Sequence, residues 1–221
     1  MNSQRYIKAI VYFAALVWTI VLYITRQQPQ PSWLPPLSIA ATAALYAALI
    51  FDLWLWRLPL LHGWFVKRPV LSGTWHVLIR SNWKDPATGA VIAPVEGYMV
   101  VRQTLSTLSM RLITAESSSE LVGTEIVCAI DGTYCVSGVY RNEPRFEARA
   151  KSPIHYGAVW LKVSQEPTKQ LFGQYWTDRQ TAGEMELTDQ QQKKFGTFQS
   201  ARDFFATLPA KSSSGGRISG N

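Results

Sequence analysis

Histidine and cysteine are scarce in this sequence: three of the one, at 62, 76 and 155, and two of the other, at 128 and 135. No Cys/His cluster has metal-ligand spacing, so no metal site is expected. Also missing are the GxSxG, HExxH and GxxxxGK[ST] patterns that mark a hydrolase nucleophile, a zinc protease and a phosphate loop. Without them there is no sign of an enzyme and no call for a cofactor. His76, beside Trp75 on a strand, reads as a wall or surface residue sooner than as a general base. A basic arm is lacking too. Three of the 22 basic residues and one of the 15 acids precede residue 57, leaving a balance of +5 beyond it. That charge, spread over a domain, does not demand long nucleic acid.

The two cysteines flank Asp131-Gly132, a two-residue hairpin signal. A turn centred there sets the thiols directly opposite each other. Small half-buried strand residues in a reducing compartment are the favoured reading, ahead of a redox switch.

Charge is absent from residues 9–25, AIVYFAALVWTIVLYIT, and residues 37–56, LSIAATAALYAALIFDLWLW, hold one acid, Asp52. A spanning helix takes about 20 apolar residues. A cleaved signal peptide, with its apolar core of about 7–15 residues, fits the first run less well. Two transmembrane helices are therefore expected at about 7–25 and 37–56, forming a hairpin over 6–56. The connector, RQQPQPSWLPP, is short and proline-rich. Trp18, Tyr23, Trp33, Trp54 and Trp56 lie at or near the ends, where aromatic rings favour the headgroup zone. Arg5, Lys8, Arg57, Lys67 and Arg68 outweigh Arg26, which puts both termini in the cytoplasm. Residues 57–70 read as an interfacial linker, with Leu60, Leu61, Trp64 and Phe65 on the bilayer and Lys67 and Arg68 at its headgroups. Asp52 sits within a turn of the cytosolic end. A snorkelling or paired acid is the favoured reading there; a polar membrane contact between protomers in assembly is the functional one.

From residue 71 the period changes to two, the strand signature. Residues 73–83 set Trp75, Val77 and Ile79 on one face and His76 and Arg80 on the other. Further strands are expected over 95–105, 108–115, 121–130, 133–140, 146–151, 156–163, 170–177 and 184–187, with 116–119 (ESSS) as a polar turn. The fold class predicted is thus a two-helix hairpin followed by an all-β domain over 71–188, an antiparallel lipocalin-like barrel of about eight strands. Such a barrel just holds one small ligand, and closure removes sticky edges. One amphipathic helix is expected over 189–210, and a disordered tail over 211–221.

Binding is better supported than catalysis. Arginines stand near aromatic residues on the strands: Tyr98 with Arg102, Tyr140 with Arg141, and Tyr175-Trp176-Thr177 with Arg179. An aromatic ring stacks on a base and a guanidinium pairs with phosphate. Residues 173–187, GQYWTDRQTAGEMEL, are the most distinctive stretch. Ligand contact and pure architecture, with Gly173 at a bend and Gly183 at the turn, weigh evenly there.

Two short-looped apolar helices, then a β-rich domain opening on Gly73-Thr74-Trp75 and closing on GQYWTDRQTAGEMEL, resemble the two-transmembrane, β-strand-rich effectors associated with CD-NTase enzymes in CBASS anti-phage systems. The resemblance covers residues 6 to about 188. It implies a barrel that binds a cyclic dinucleotide made by a partner CD-NTase, and self-association into a homo-oligomer in the bacterial inner membrane. Disruption of the lipid bilayer and cell death follow. Under it, Arg102, Arg111 and Arg179 neutralise phosphates while Tyr98, Tyr140 and Trp176 stack or line the cavity. A membrane-tethered lipocalin-like carrier of a lipid or other apolar molecule is the alternative, and a structural subunit of a membrane complex the third reading.

Overall fold

The period-two pattern closes on itself. The computed structural model describes residues 3–26, 34–62, 64–85, 88–150, 152–164 and 169–209. Eight strands, β1 (Gly73–Ser81), β2 (Val95–Gln103), β3 (Leu108–Thr114), β4 (Ser117–Cys128), β5 (Tyr134–Pro144), β6 (His155–Ser164), β7 (Gln170–Thr177) and β8 (Ala182–Gln191), follow one another round a closed barrel. Each pairs antiparallel with the next, and β8 returns to β1, where Val77 faces Leu187. The alternation dictates the inside. Trp75 and Val77 are fully buried, and Met99, Val101, Met110, Leu161, Leu171 and Leu187 join them in one core. That face of a strand, removed from water at about 25 cal/mol per Å² of apolar surface, is what fixes register.

Several local expectations shift. Residues 117–120 extend β4, because Ser117 and Ser119 pair with Pro144 and Asn142 on β5; the turn shrinks to Ala115 and Glu116. Residues 146–148 form a single 3-10 turn in place of a strand. At Asp131-Gly132 the loop has three residues: Ala129 N–H donates to Thr133 O at 2.8 Å and Gly132 takes φ 85°. That extra residue slips the register by one, so Cys135 faces Val127, not Cys128. One thiol is exposed and the other buried, and both are free. Beyond β8, which runs on to Gln191, the helix is shorter than expected, α3 (Phe198–Ala206). Thr197 caps it by accepting from Ser200 N–H. Its Phe198 and Phe205 rings lie 5.5 and 5.1 Å from that of Tyr98, outside the barrel.

The N-terminal segments are helical, α1 (Ser3–Thr25) and α2 (Leu34–Leu53), and they pack on each other. They overturn the expectation of two membrane spans: among the described residues no helix is long and apolar enough to cross a membrane. The two-span, inner-membrane placement falls with it. The physical reason lies at the helix ends. α1 spends its opening turns on Ser3, Gln4, Arg5 and Lys8, and α2 opens on Leu34-Pro35-Pro36 and closes on Asp52. That last turn is used on the barrel. Asp52 accepts from Ser106 N–H through Oδ1 at 2.8 Å, and from Leu105 N–H through its carbonyl at 3.0 Å. Trp56, expected among headgroups, is wholly buried with Val66 and Leu105. Residues 27–33 of the connector, Trp33 among them, and the tail 211–221 lie outside the described residues.

The linker after α2 is not free either. Residues 66–72 cross one end of the barrel and close it. Trp75 Nε1 donates to Leu71 O at 2.9 Å, and Gln103 clamps the same strap, accepting from Leu71 N–H at 2.7 Å and donating to Pro69 O at 2.9 Å. Arg68, buried, donates to Leu105 O, and Arg57 to Gln103 O.

Candidate functional site

With one end plugged by the strap, free space collects at the other. There the loops β1–β2, β3–β4, β5–β6 and β7–β8 surround a cavity of about 500 Å³, within the range of about 300–1,000 Å³ usual for small-molecule sites. Its floor is apolar: Met99, Leu112, Val159 and Met185. Its walls carry Thr114, Ser119, Tyr140, Asn142 and Tyr175, and its rim Glu116, Ser152 and His155.

Two glycines make room for the two tyrosines. A Cβ at Gly157 would lie 2.4 Å from the end of the Tyr140 ring, and one at Gly183 would lie 2.7 Å from the Tyr175 ring. Gly183 therefore belongs to the wall, inside β8. The left-handed residue of the β7–β8 turn is Gln180, at φ 61°. Burial pushes both phenols above their usual range; for Tyr140 the neighbouring Tyr175 and Asp178 add to it, and for Tyr175 the Ser81 hydroxyl acts the other way. Both are neutral at physiological pH, aromatic faces with a hydroxyl each.

The β7–β8 turn is built by Thr177, whose hydroxyl accepts from Arg179 N–H and Thr181 N–H at 3.2 and 3.3 Å. Asp178 ties it to β6, accepting from Tyr156 N–H at 3.1 Å. These bonds carry Arg179 to the rim, where Nη1 donates to Ser152 Oγ at 2.9 Å. The 3-10 turn after β5, tied to Ser152, whose N–H donates to Ala148 O at 2.9 Å, presents exposed Arg145 and Arg149, the latter donating from Nε to Pro144 O at 3.2 Å. Three guanidinium groups near the rim, above an aromatic and hydroxylic wall, suit an anionic ligand with flat rings.

Of the residues singled out by sequence, Tyr140 and Arg179 meet here. Tyr98, Arg102, Arg111 and Trp176 stand on the outer face. Tyr98 is buried beneath α3 with its hydroxyl on Glu96 at 2.8 Å. Arg102 is exposed, and Arg111 Nη2 reaches Gly196 O at 3.4 Å. Trp176 is 51% exposed, beside Arg80, Trp160 and Phe172 in a hollow of about 580 Å³ on the outside wall. That hollow is larger, but it has no enclosing wall of buried side chains; the interior cavity has. Asp52 joins α2 to the β2–β3 turn within one chain.

Sequence reading passed over Ser119, Asn142 and Ser152 as ligand groups, and from the Tyr175-Trp176 pair it chose Trp176 for the cavity where Tyr175 lines it. The signal for Asn142 was parity. It continues the inward series Val136, Gly138, Tyr140 on β5, and a polar residue at a core position marks a wet wall.

The chain is similar to CD-NTase-associated protein 15 of Staphylococcus schleiferi, 23% identical over 189 residues that cover 85% of this chain and 98% of that protein. Residues 66–189 match the family described as Cap15, cyclic dinucleotide receptor domain. That match begins at the strap which plugs the barrel and ends in its last strand, more than half of the sequence, and on it the chain belongs to the Cap15 cyclic dinucleotide receptor family.

Proposed function

We propose that the chain is the cyclic dinucleotide-binding effector of a CBASS anti-phage system, a receptor without enzymatic activity, and that the open-end cavity is its ligand site. The observation that carries this is the joining of one enclosed aromatic wall, Tyr140 and Tyr175, to a guanidinium, Arg179, at the rim. A cyclic dinucleotide brings two phosphates and two stackable bases. Arg179 and Arg149 neutralise phosphate, the tyrosines face the bases, and no cofactor takes part.

The output follows from the helix pair. Tyr12, Leu16, Tyr23, Leu45, Tyr46 and Leu49 are exposed in the single chain, more apolar surface than an isolated fold leaves uncovered. Ligand binding drives self-association through differential affinity for the assembled state. The assembly then disrupts the lipid bilayer and the cell dies. The apolar cavity floor is what favours the carrier reading instead.

Titration calorimetry of the full-length chain in detergent against cyclic dinucleotides, with linear dinucleotides and a fatty acid as controls, separates the two. Submicromolar binding of a cyclic species, weakened at least tenfold by Arg179→Ala, supports the receptor. Binding of the fatty acid alone supports the carrier. Leakage from vesicles only when cyclic ligand is added supports the output.

A further inference from the structure

Asn142 and Ser119 are both buried, 6% and 7% exposed, and both line the cavity. They pair directly across β4 and β5. Ser119 Oγ donates to Asn142 Oδ1 at 2.7 Å. That bond uses one of the two lone pairs of the amide oxygen and holds the oxygen on the β4 side, and among the described residues the amide nitrogen has no hydrogen-bond partner. Two residues back on the same inward face, the Tyr140 hydroxyl is likewise without one. The β5 wall thus offers the cavity two hydrogen-bond donors, while its amide oxygen is engaged by Ser119 within the protein.

Asparagine ordinarily reads adenine through both amide atoms, accepting from the N6 amino group and donating to N7. Ser119 competes for the first half of that pairing, because it fixes the amide with its oxygen on the β4 side. What the wall can still meet is a base edge made of acceptors, such as O6 and N7 of guanine or the ring carbonyls of uracil. We infer that Asn142, oriented by Ser119, is a specificity-determining residue that selects a cyclic dinucleotide carrying an oxo base, guanine or uracil, over one carrying adenine only. Asn142 touches the base; Ser119 is a positioning residue that acts through it. The inference rests on the cavity being the ligand site.

The test is a competition series on the full-length chain with cyclic di-GMP, cyclic di-UMP and cyclic di-AMP. The wild type is expected to bind the better oxo ligand about tenfold more tightly than cyclic di-AMP, a difference of about 1.4 kcal/mol. Asn142→Leu should weaken the oxo ligand about tenfold and leave cyclic di-AMP nearly unchanged. Ser119→Ala, which frees the amide to turn, should bring the three within about threefold by improving cyclic di-AMP, a gain that simple damage to the wall does not produce. Equal or tighter wild-type binding of cyclic di-AMP overturns the inference, as does an unchanged preference in both variants of a folded protein. If a folded wild type binds none of the three, the ligand site itself is wrong and this inference goes with it.

Discussion

The two ends of the barrel are made from the same eight strands and do opposite things. At the plugged end Gln103, Arg57, Arg68 and Asp52 are all spent on the chain itself. Gln103 grips the strap twice, Arg57 and Arg68 donate to carbonyls of the β2–β3 region, and Asp52 holds the Ser106 and Leu105 amides. At the open end polar groups are left facing space: the Tyr140 hydroxyl and the Asn142 amide nitrogen, with Arg145 and Arg149 exposed at the rim. The difference teaches where stability and where recognition were placed. Closed hydrogen-bond circuits rigidify, and open ones wait for a ligand. It also shows what the helix pair is attached to. α2 grips the β2–β3 turn at the plugged end, so the cavity and the helix pair sit at opposite ends, joined by β2 with Met99 in the cavity and Gln103 in the strap.

Substitutions can break this contrast. The largest effect is expected at Trp75, fully buried and bonded to the strap: Trp75→Ala should cost about 3–5 kcal/mol in urea unfolding, as large-to-small core changes do. Gln103→Leu should cost about 1–3 kcal/mol, because Leu71 N–H and Pro69 O lose their partner in a buried place. It should leave the ligand affinity of the folded protein as it was; a tenfold loss would mean that the two ends are coupled more tightly than the separate hydrogen-bond circuits imply. Arg179→Ala should do the reverse, changing stability by less than about 0.5 kcal/mol, as surface substitutions generally do, while affinity falls.

The smallest effect is one of pH. Tyr140 and Tyr175 ionise above the usual range because they are buried. An unfolded tyrosine loses its proton near pH 10, where these two still hold theirs, so the folded state binds more protons. Stability is then full below about pH 10 and declines as pH climbs from there toward the folded values. Titration followed by tyrosinate absorbance should show the late-ionising group that Tyr140→Phe removes, and an ordinary titration for Tyr140 would place its ring in water instead of in the wall.

Much of the barrel was legible because its cause is local. A strand with one face in the core must alternate, and Trp75, Val77 and Ile79 against His76 and Arg80 say so without any partner. Register was less legible. The Asp131-Gly132 signal located a turn but not its length, and one residue more moved Cys135 away from Cys128. Tyr98 and Trp176 carried the right chemistry on the wrong parity, since adjacency in sequence puts neighbours on opposite faces of a strand. Tyr175, next to Trp176, is the one that points inward.

What the sequence alone determined is the strand content, the closure-ready alternation, the helical N-terminal segments and the supply of aromatic and cationic groups. Only the tertiary structure decided which end of the barrel is open. The strap, Trp56 and Asp52 reach their partners across about 30 to 50 positions of chain, and no periodic pattern encodes which distant carbonyl a buried donor will find. For the same reason the tie between the end of α2 and the barrel, which spends Asp52 and Trp56 on packing instead of on a membrane, is a property of the fold and not of the apolar run that precedes it.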